Sequence, residues 1–393
     1  MHRRPLLLAQ VLLLAPVAPV WGGELPALSG SVFGGLDYAA NLFAYGTVYA
    51  ASQPQRTDGD GLFFGGAATL SAGLSHGFAD GTGLGLDGSF YLAHGPLDAD
   101  NYDSAFVQKI YGRMETSAGR FEIGMTDGAA FALALTGPAV NDETSIESHN
   151  AAFFRNPVTD EPMTAVFALN SAVETSFNFA KIAYYTPEIS GFRFGFSYAP
   201  SEARHGLPFV AGAHEAGDQR HLSEAAAHWA GRLGPFETAA SFGVGFARRG
   251  RGSADADDRT NLFDWAAGAE FVYPCDDDGK FSFGGAYHQS NAYGFDVDEA
   301  LKGGAAHSAH LAVKWEAKPW AAGGEWNEGT TRGLGVPRVG LHGFGAAVGR
   351  SLSENWTATV GWQRLAYASD TAFYTGGRRL RMDAVFLHLR LDA

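Results

Sequence analysis

Apolar and polar residues alternate with a period of two along most of this chain. Phe192, Phe194, Phe196 and Tyr198 share one face, with Arg193, Gly195, Ser197 and Ala199 on the other. Leu311, Val313 and Trp315 oppose His310, Ala312, Lys314 and Glu316. Trp356, Ala358, Val360 and Trp362 oppose Thr357, Thr359, Gly361 and Gln363. Near the end, Val385, Leu387, Leu389 and Leu391 oppose Phe386, His388, Arg390 and Asp392. This pattern predicts strands, each with one apolar and one polar face. A soluble sandwich would alternate in the same way, so length and edges must discriminate. The strands run to about 10–14 residues, against a usual five or six. Aromatic residues flank the apolar runs: Tyr184 and Tyr185, Trp315 and Trp320, Trp356 and Trp362. Long alternating strands with aromatic ends fit a bilayer. There every backbone polar group needs a partner, so the sheet must close, with an apolar band outside and a polar lumen.

The connections alternate in length. Short ones fall at 116–120, 186–191, 232–236, 274–280, 316–320 and 352–355. Long ones are expected at 41–60, 95–103, 201–220, 249–261, 291–305, 329–338 and 369–378. Short turns at one end and long loops at the other mark a transmembrane barrel. Counting hairpins gives about sixteen strands in one domain, 24–393. One segment breaks the rhythm. After Phe121, Ile123 and Met125 the alternation stops for roughly forty residues, far beyond an ordinary loop. It carries buried-type residues (Phe131, Leu133, Leu135, Phe153, Phe154) that must pack on something. The large space nearby is the lumen, so the segment is expected to fold inward and narrow it.

Composition sharpens the picture. Glycine accounts for 52 of 393 residues, roughly twice its usual share, and phenylalanine for 29. The first residues, a basic "MHRRP" followed by an apolar "LLLAQVLLLAPVAPV", read as a signal peptide over 1–23. No later run of apolar residues is long enough for a membrane helix. The formal net charge of -14 argues against nucleic acid as a partner. Cys275 stands alone and excludes an internal disulfide.

The motifs that suggest enzymes lack their contexts. "GLSHG" at Gly73–Gly77 matches a nucleophile elbow but ends an alternating strand, not a strand–turn–helix unit. "GLGLDG" at Gly83–Gly88 matches a dinucleotide fingerprint, but no helix follows. It reads as a strand with Leu84 and Leu86 facing lipid. Acids cluster at Asp98, Asp100 and Asp103, at Asp255, Asp257 and Asp258, and at Asp276 to Asp278. They read as solvated loop charge without a calcium-loop motif. The histidines show no metal-ligand spacing; His228, His288, His310 and His388 have lumen parity, as a polar aqueous wall would allow. No catalytic residue, metal site or cofactor is expected.

The hairpin "KIYGRMETSAGRFEIGMTDG" (109–128) leading into the long segment, "NFAKIAYYTPEISGFRFGFSYAPS" (178–201) and "ARHGLPF" (203–209) resemble Gram-negative outer-membrane porins of the general-diffusion type found in proteobacteria. The likeness covers essentially the whole chain after the signal. It implies an all-β, closed antiparallel barrel of sixteen strands in the outer membrane. It further implies a trimer among outer-membrane lipid and lipopolysaccharide, and a water-filled path for small hydrophilic solutes. The third long loop would form an eyelet opposite a basic wall. Carried over by position, the acidic side would come from Asp127, Asp142, Glu143, Glu147, Asp160 and Glu161. The basic side would come from Lys109, Arg113, Arg120, Lys181 and Arg193. Between Asp127 and Pro162 the acids far outnumber the lone base Arg155, which predicts mild cation preference. The chain ends Leu391-Asp392-Ala393, whereas such porins usually end in an aromatic residue. Three rivals remain. A substrate-selective channel would need more lumen aromatics than Tyr91, Tyr111 and Phe386. An outer-membrane lipase would need a lipid-facing Ser/His pair, which is not found. A barrel that mainly binds partners or anchors the envelope would have a plugged lumen.

Overall fold

The computed structural model describes residues 28–32, 35–55, 60–94, 105–147, 154–158, 163, 171–201, 219–249, 260–275, 279–292, 300, 303–333, 336–371 and 377–392. The predicted signal peptide, the three acidic clusters, and Asp160 and Glu161 lie outside these residues.

The described chain is almost wholly strand. The first half comprises β1 (Leu28–Val32), β2 (Leu36–Ser52), β3 (Asp60–Gly77), β4 (Gly83–His94), β5 (Ala105–Thr116), β6 (Gly119–Met125), β7 (Ala180–Tyr185) and β8 (Phe192–Ser201). The second comprises β9 (Gln219–Leu233), β10 (Phe236–Arg249), β11 (Leu262–Pro274), β12 (Lys280–Ser290), β13 (Ala305–Ala317), β14 (Trp320–Gly333), β15 (Val336–Ser351), β16 (Trp356–Ser369) and β17 (Arg379–Asp392). Each strand from β2 onward pairs antiparallel with the next, and β17 pairs back onto β2, so the ring from β2 to β17 is closed. Sixteen strands, β2 to β17, form the ring. The short β1 shares an edge of β2 with β17: it pairs at Leu36–Ala40, while β17 pairs at Phe43–Ser52. Closure follows from the environment, since an open edge would leave backbone donors and acceptors unpaired in hydrocarbon.

The alternation maps onto the two faces as expected. Phe64, Ile123, Phe196, Leu311, Val348 and Val360 are exposed on the outer face, Ile123 and Phe64 at 64% and 61%. Leu84 and Leu86 are outward too. Aromatics gather near the short-turn end, among them Tyr273, Phe281, Trp315 and Trp320, and the Arg350 guanidinium lies 5.0 Å from the Trp320 ring centroid. The turn between β5 and β6 depends on Gly119, at φ 133°, where a Cβ would fall 2.3 Å from the Tyr185 carbonyl oxygen.

Two expected loops are largely strand. Residues 41–52 belong to β2, whose inner face carries Thr47, Tyr49 and Ala51, all buried. Residues 329–338 belong almost entirely to β14 and β15. In both places small and polar residues imitate loop composition, but cross-strand pairing decides the conformation.

The buried side chains lie inside the ring. Tyr49, Phe154, Met163, Leu341, Tyr367, Met382 and Phe386 form one cluster. Ala129, Ala130, Leu133, Val173, Ala183, Tyr185, Ala226 and Ala266 form a second. Each cluster joins wall residues to residues from the long segment between β6 and β7. That segment therefore supplies the barrel with an internal core.

Candidate functional site

The segment between β6 and β7 is the third long connection, and its described residues lie against inward-facing wall side chains. It leaves β6 with the Thr126 hydroxyl donating to Glu122 Oε2 at 2.6 Å. A single helical turn follows at Ala129–Ala132. The Ala129 and Ala130 amides donate to Ser197 Oγ and Glu224 Oε2, both at 3.0 Å. Further on, the Leu135 amide donates to Ser241 Oγ at 2.9 Å. Gln363 Nε2 donates to the Thr144 carbonyl at 2.5 Å. At Arg155 the amide and carbonyl both bond the Gln53 side chain, at 3.3 and 2.5 Å. The segment thus follows the wall from β8 through β10 and β16 to the residue just after β2. On its return the Ser176 amide donates to Glu224 Oε1 at 2.7 Å.

Wall glycines make this close approach possible. A Cβ at Gly268 would lie 2.1 Å from the Leu135 carbonyl oxygen, one at Gly323 2.8 Å from Val140, and one at Gly345 2.9 Å from Ile146. The glycine richness seen in the sequence is therefore partly a groove for the loop backbone.

Buried polar residues pin the loop at its middle. Glu147 Oε2 accepts from Ser171 Oγ at 2.9 Å and lies 3.1 Å from His310 Nδ1; Glu147 Oε1 accepts from Asn327 Nδ2 at 3.4 Å. Glu325 Oε2 accepts from Ser145 Oγ at 2.5 Å and from the Ile146 amide at 3.2 Å. His288 Nε2 lies 2.6 Å from Asp264 Oδ1, and Thr47 Oγ1 lies 2.8 Å from His388 Nδ1. His288, His310 and His388 have the inward parity expected of them, but they do not face water. At 0–1% exposure they are enclosed, His310 against Gly137 and Glu147 of the loop, His388 near Glu143 of the loop, and His288 beside Asp264 of the wall. Sequence parity located their face and could not show what covers it. Ser197 is likewise buried, at 6%.

The predicted site residues divide by role. Asp127 pairs with Lys109 at 2.5 Å. Arg113 pairs with Asp87 at 2.7 Å and Glu115 at 2.8 Å, and Arg120 with Glu122 at 2.6 Å. Lys181 is 3% exposed and donates to the Ser176 carbonyl and hydroxyl at 3.0 and 2.9 Å and to the Phe177 carbonyl, so it holds the end of the loop. Glu143 lies 3.4 Å from Arg390 and 3.7 Å from His388. Burial raises the Glu143 carboxyl above the usual carboxylate range, against the pull of Arg390. Asp142 is exposed and makes no salt bridge among the described residues. Arg193 is exposed and has no acidic partner among the described residues. Among the described residues, Asp127–Lys109 is thus the one salt bridge between a predicted acid and a predicted base; Glu143 pairs with the wall's Arg390, and Arg113 and Arg120 pair with acids of the wall itself. Sequence reasoning did not single out Glu224, Glu325, Arg390, Gln53 or Gln363, although Arg390 and Gln363 were placed on the polar face. For Glu224 and Glu325 the signal was a carboxylate at inward parity beside a run of Ala or Gly in the strand.

A closed sixteen-strand ring, apolar outside and polar within, defines an outer-membrane channel. The chain belongs to the Gram-negative porin family, whose model matches residues 26–369. Among solved structures it is similar to the anion-selective porin from Comamonas acidovorans (12% identity, TM-score 0.54, covering 91% of this chain and 100% of that one). It is also similar to the outer membrane channel DcaP of Acinetobacter baumannii (12% identity, TM-score 0.58, 91% and 98%). A third is the trimer form of OmpT, an outer membrane protein of Vibrio cholerae (9% identity, TM-score 0.50, 91% and 99%). At these identities the likeness is one of fold. No curated protein sequence matches the chain.

Proposed function

We propose that this porin passes small hydrophilic solutes and ions by passive diffusion, with mild cation preference, through a lumen narrowed by the loop between β6 and β7. The observation that carries the reading is the exposed Asp142, which makes no salt bridge among the described residues, on a loop otherwise tied to the wall. A carboxylate held at a fixed place beside a water-filled path concentrates cations there. The pair Lys109–Asp127 adds polarity without adding net charge, and Arg390 is matched by both Glu143 and Asp392. The formal net charge of -14 acts in the same direction.

The protein is further proposed to work as a homotrimer. Outward positions of β2 and β3 are rich in small residues, including Ala40, Ala44, Gly46, Ala50, Gly66, Ala68 and Ala72, which lets a neighbouring barrel approach closely. The trimer form recorded for the Vibrio cholerae protein supports this.

The test is conductance of the purified protein in a planar bilayer under a salt gradient. Discrete open steps with a cation-favouring reversal potential are expected, with Asp142→Asn moving that potential toward zero. Well-inserted protein without conductance would overturn the channel reading. An unchanged potential in Asp142→Asn would overturn the assignment of the selectivity to this residue.

A further inference from the structure

At the short-turn end of the lumen, strands β5 to β8 and the start of the loop enclose a cavity of about 490 Å³. Lys109, Tyr111, Arg120, Leu133, Tyr185 and Arg193 are among its lining residues. Its volume falls in the range of small-molecule sites.

The charges in and around the cavity are committed to one another, with one exception. Lys109 is held by Asp127, Arg120 by Glu122, and Arg113 by Asp87 and Glu115. Arg193 has no acidic partner among the described residues and is exposed to the cavity. Four cations and four acids cancel, so the cavity does not draw anions by net field. What it offers is a free guanidinium, whose fork matches a carboxylate in two parallel hydrogen bonds. Beside it, Tyr111, Tyr185 and Leu133 supply apolar surface, and burial holds the Tyr185 ring in place next to Ala129 and Leu133.

We propose that this cavity is a solute-binding site for small monocarboxylates with a compact apolar or aromatic body, with Arg193 as the carboxylate ligand. The proposal rests on the channel reading and adds a substrate class to it. A solute held here sits beside the conducting path, so its residence interrupts current.

Benzoate is the probe, with benzyl alcohol as its uncharged counterpart. In single-channel recording, benzoate should produce concentration-dependent interruptions that benzyl alcohol does not. Arg193→Gln should weaken the block about tenfold, the effect of losing one charge-assisted pair. Arg193→Lys, which keeps charge but loses the fork, should fall between. Arg350→Gln, on the outer face against Trp320, should leave the block as in the parent protein. Calorimetric binding of benzoate to the detergent-purified protein gives a readout that needs no current, and the same order of variants is expected. Open steps without block or binding, or a block indifferent to Arg193→Gln, would overturn the site. Binding that follows Arg193 in a protein that never conducts would uphold the site and overturn the channel reading instead.

Discussion

Glu147→Ala tests whether the loop is held to the wall by the buried polar contacts assigned to it. The Glu147 carboxylate takes hydrogen bonds from Ser171 at 2.9 Å and Asn327 at 3.4 Å and faces His310 at 3.1 Å. Bonds to a charged group contribute about 1.5–3 kcal/mol each. With one of them long, the lower end applies to both, and the loop should lose about 3 kcal/mol of local stability. That is roughly a hundredfold rise in the population of the opened loop. The barrel should be unaffected, because its ladders do not involve Glu147. The assay is hydrogen exchange over the peptide containing Thr144, Ser145 and Ile146. Their amides bond Asn141 Oδ1 at 3.0 Å, the Asp142 carbonyl at 3.3 Å and Glu325 Oε2 at 3.2 Å. Exchange there should accelerate about a hundredfold while strand peptides keep the parent rate, and single-channel traces should become noisier. Asp142→Ala, which removes no hydrogen bond from the wall, is the control. Equal exchange in Glu147→Ala and the parent would refute the anchoring argument.

Other outcomes follow from the same geometry. Phe194→Arg places a charge on the lipid face, at a cost of about 2–4 kcal/mol near the midplane; refolding yield into vesicles should drop, and full yield would contradict the face assignment. Ser197→Arg, which inward parity alone makes harmless, should also be damaging. Ser197 is buried and accepts the Ala129 amide, so the larger side chain must displace the loop. Here the expected readout is altered conductance with normal insertion. Gly268→Val would set its Cβ 2.1 Å from the Leu135 carbonyl, forcing the loop away from β11 and lowering single-channel conductance. Finally, cation preference should fall on acidification at a higher pH than an ordinary carboxylate would give. Burial raises Glu143, so that group takes up its proton at a higher pH than an ordinary carboxylate and leaves Arg390 with Asp392, at 2.8 Å, as its remaining salt-bridge partner among the described residues. Reversal potentials recorded against pH should show this step in the parent and lose it in Glu143→Gln.

Much of the architecture was legible along the chain. Two-residue alternation, aromatic strand ends and the short–long rhythm of connections are local properties, and the bilayer imposes them strand by strand. That is why Phe194, Leu311 and Val360 could be assigned to the outer face from spacing alone, and why the count of about sixteen strands agrees with the ring from β2 to β17. The break after Met125 was equally visible, because a run of residues with neither period has no strand to join.

What lies over the inner face was not legible. Ser197, His310 and Gln363 have the parity of water-facing residues, yet all three are buried, since contacts with Ala129, Glu147 and Thr144 come from a segment tens to hundreds of positions away. The same holds for charge. The loop acids count toward cation preference when read in a row, but Asp127 and Glu143 are paired with wall cations while Asp142 has no salt bridge among the described residues. Alternation records which face a residue is on, because the backbone pleat sets that within a strand. Whether that face meets water, a loop or an opposite charge depends on how a closed ring and its longest connection share one interior, and only the tertiary structure decides it.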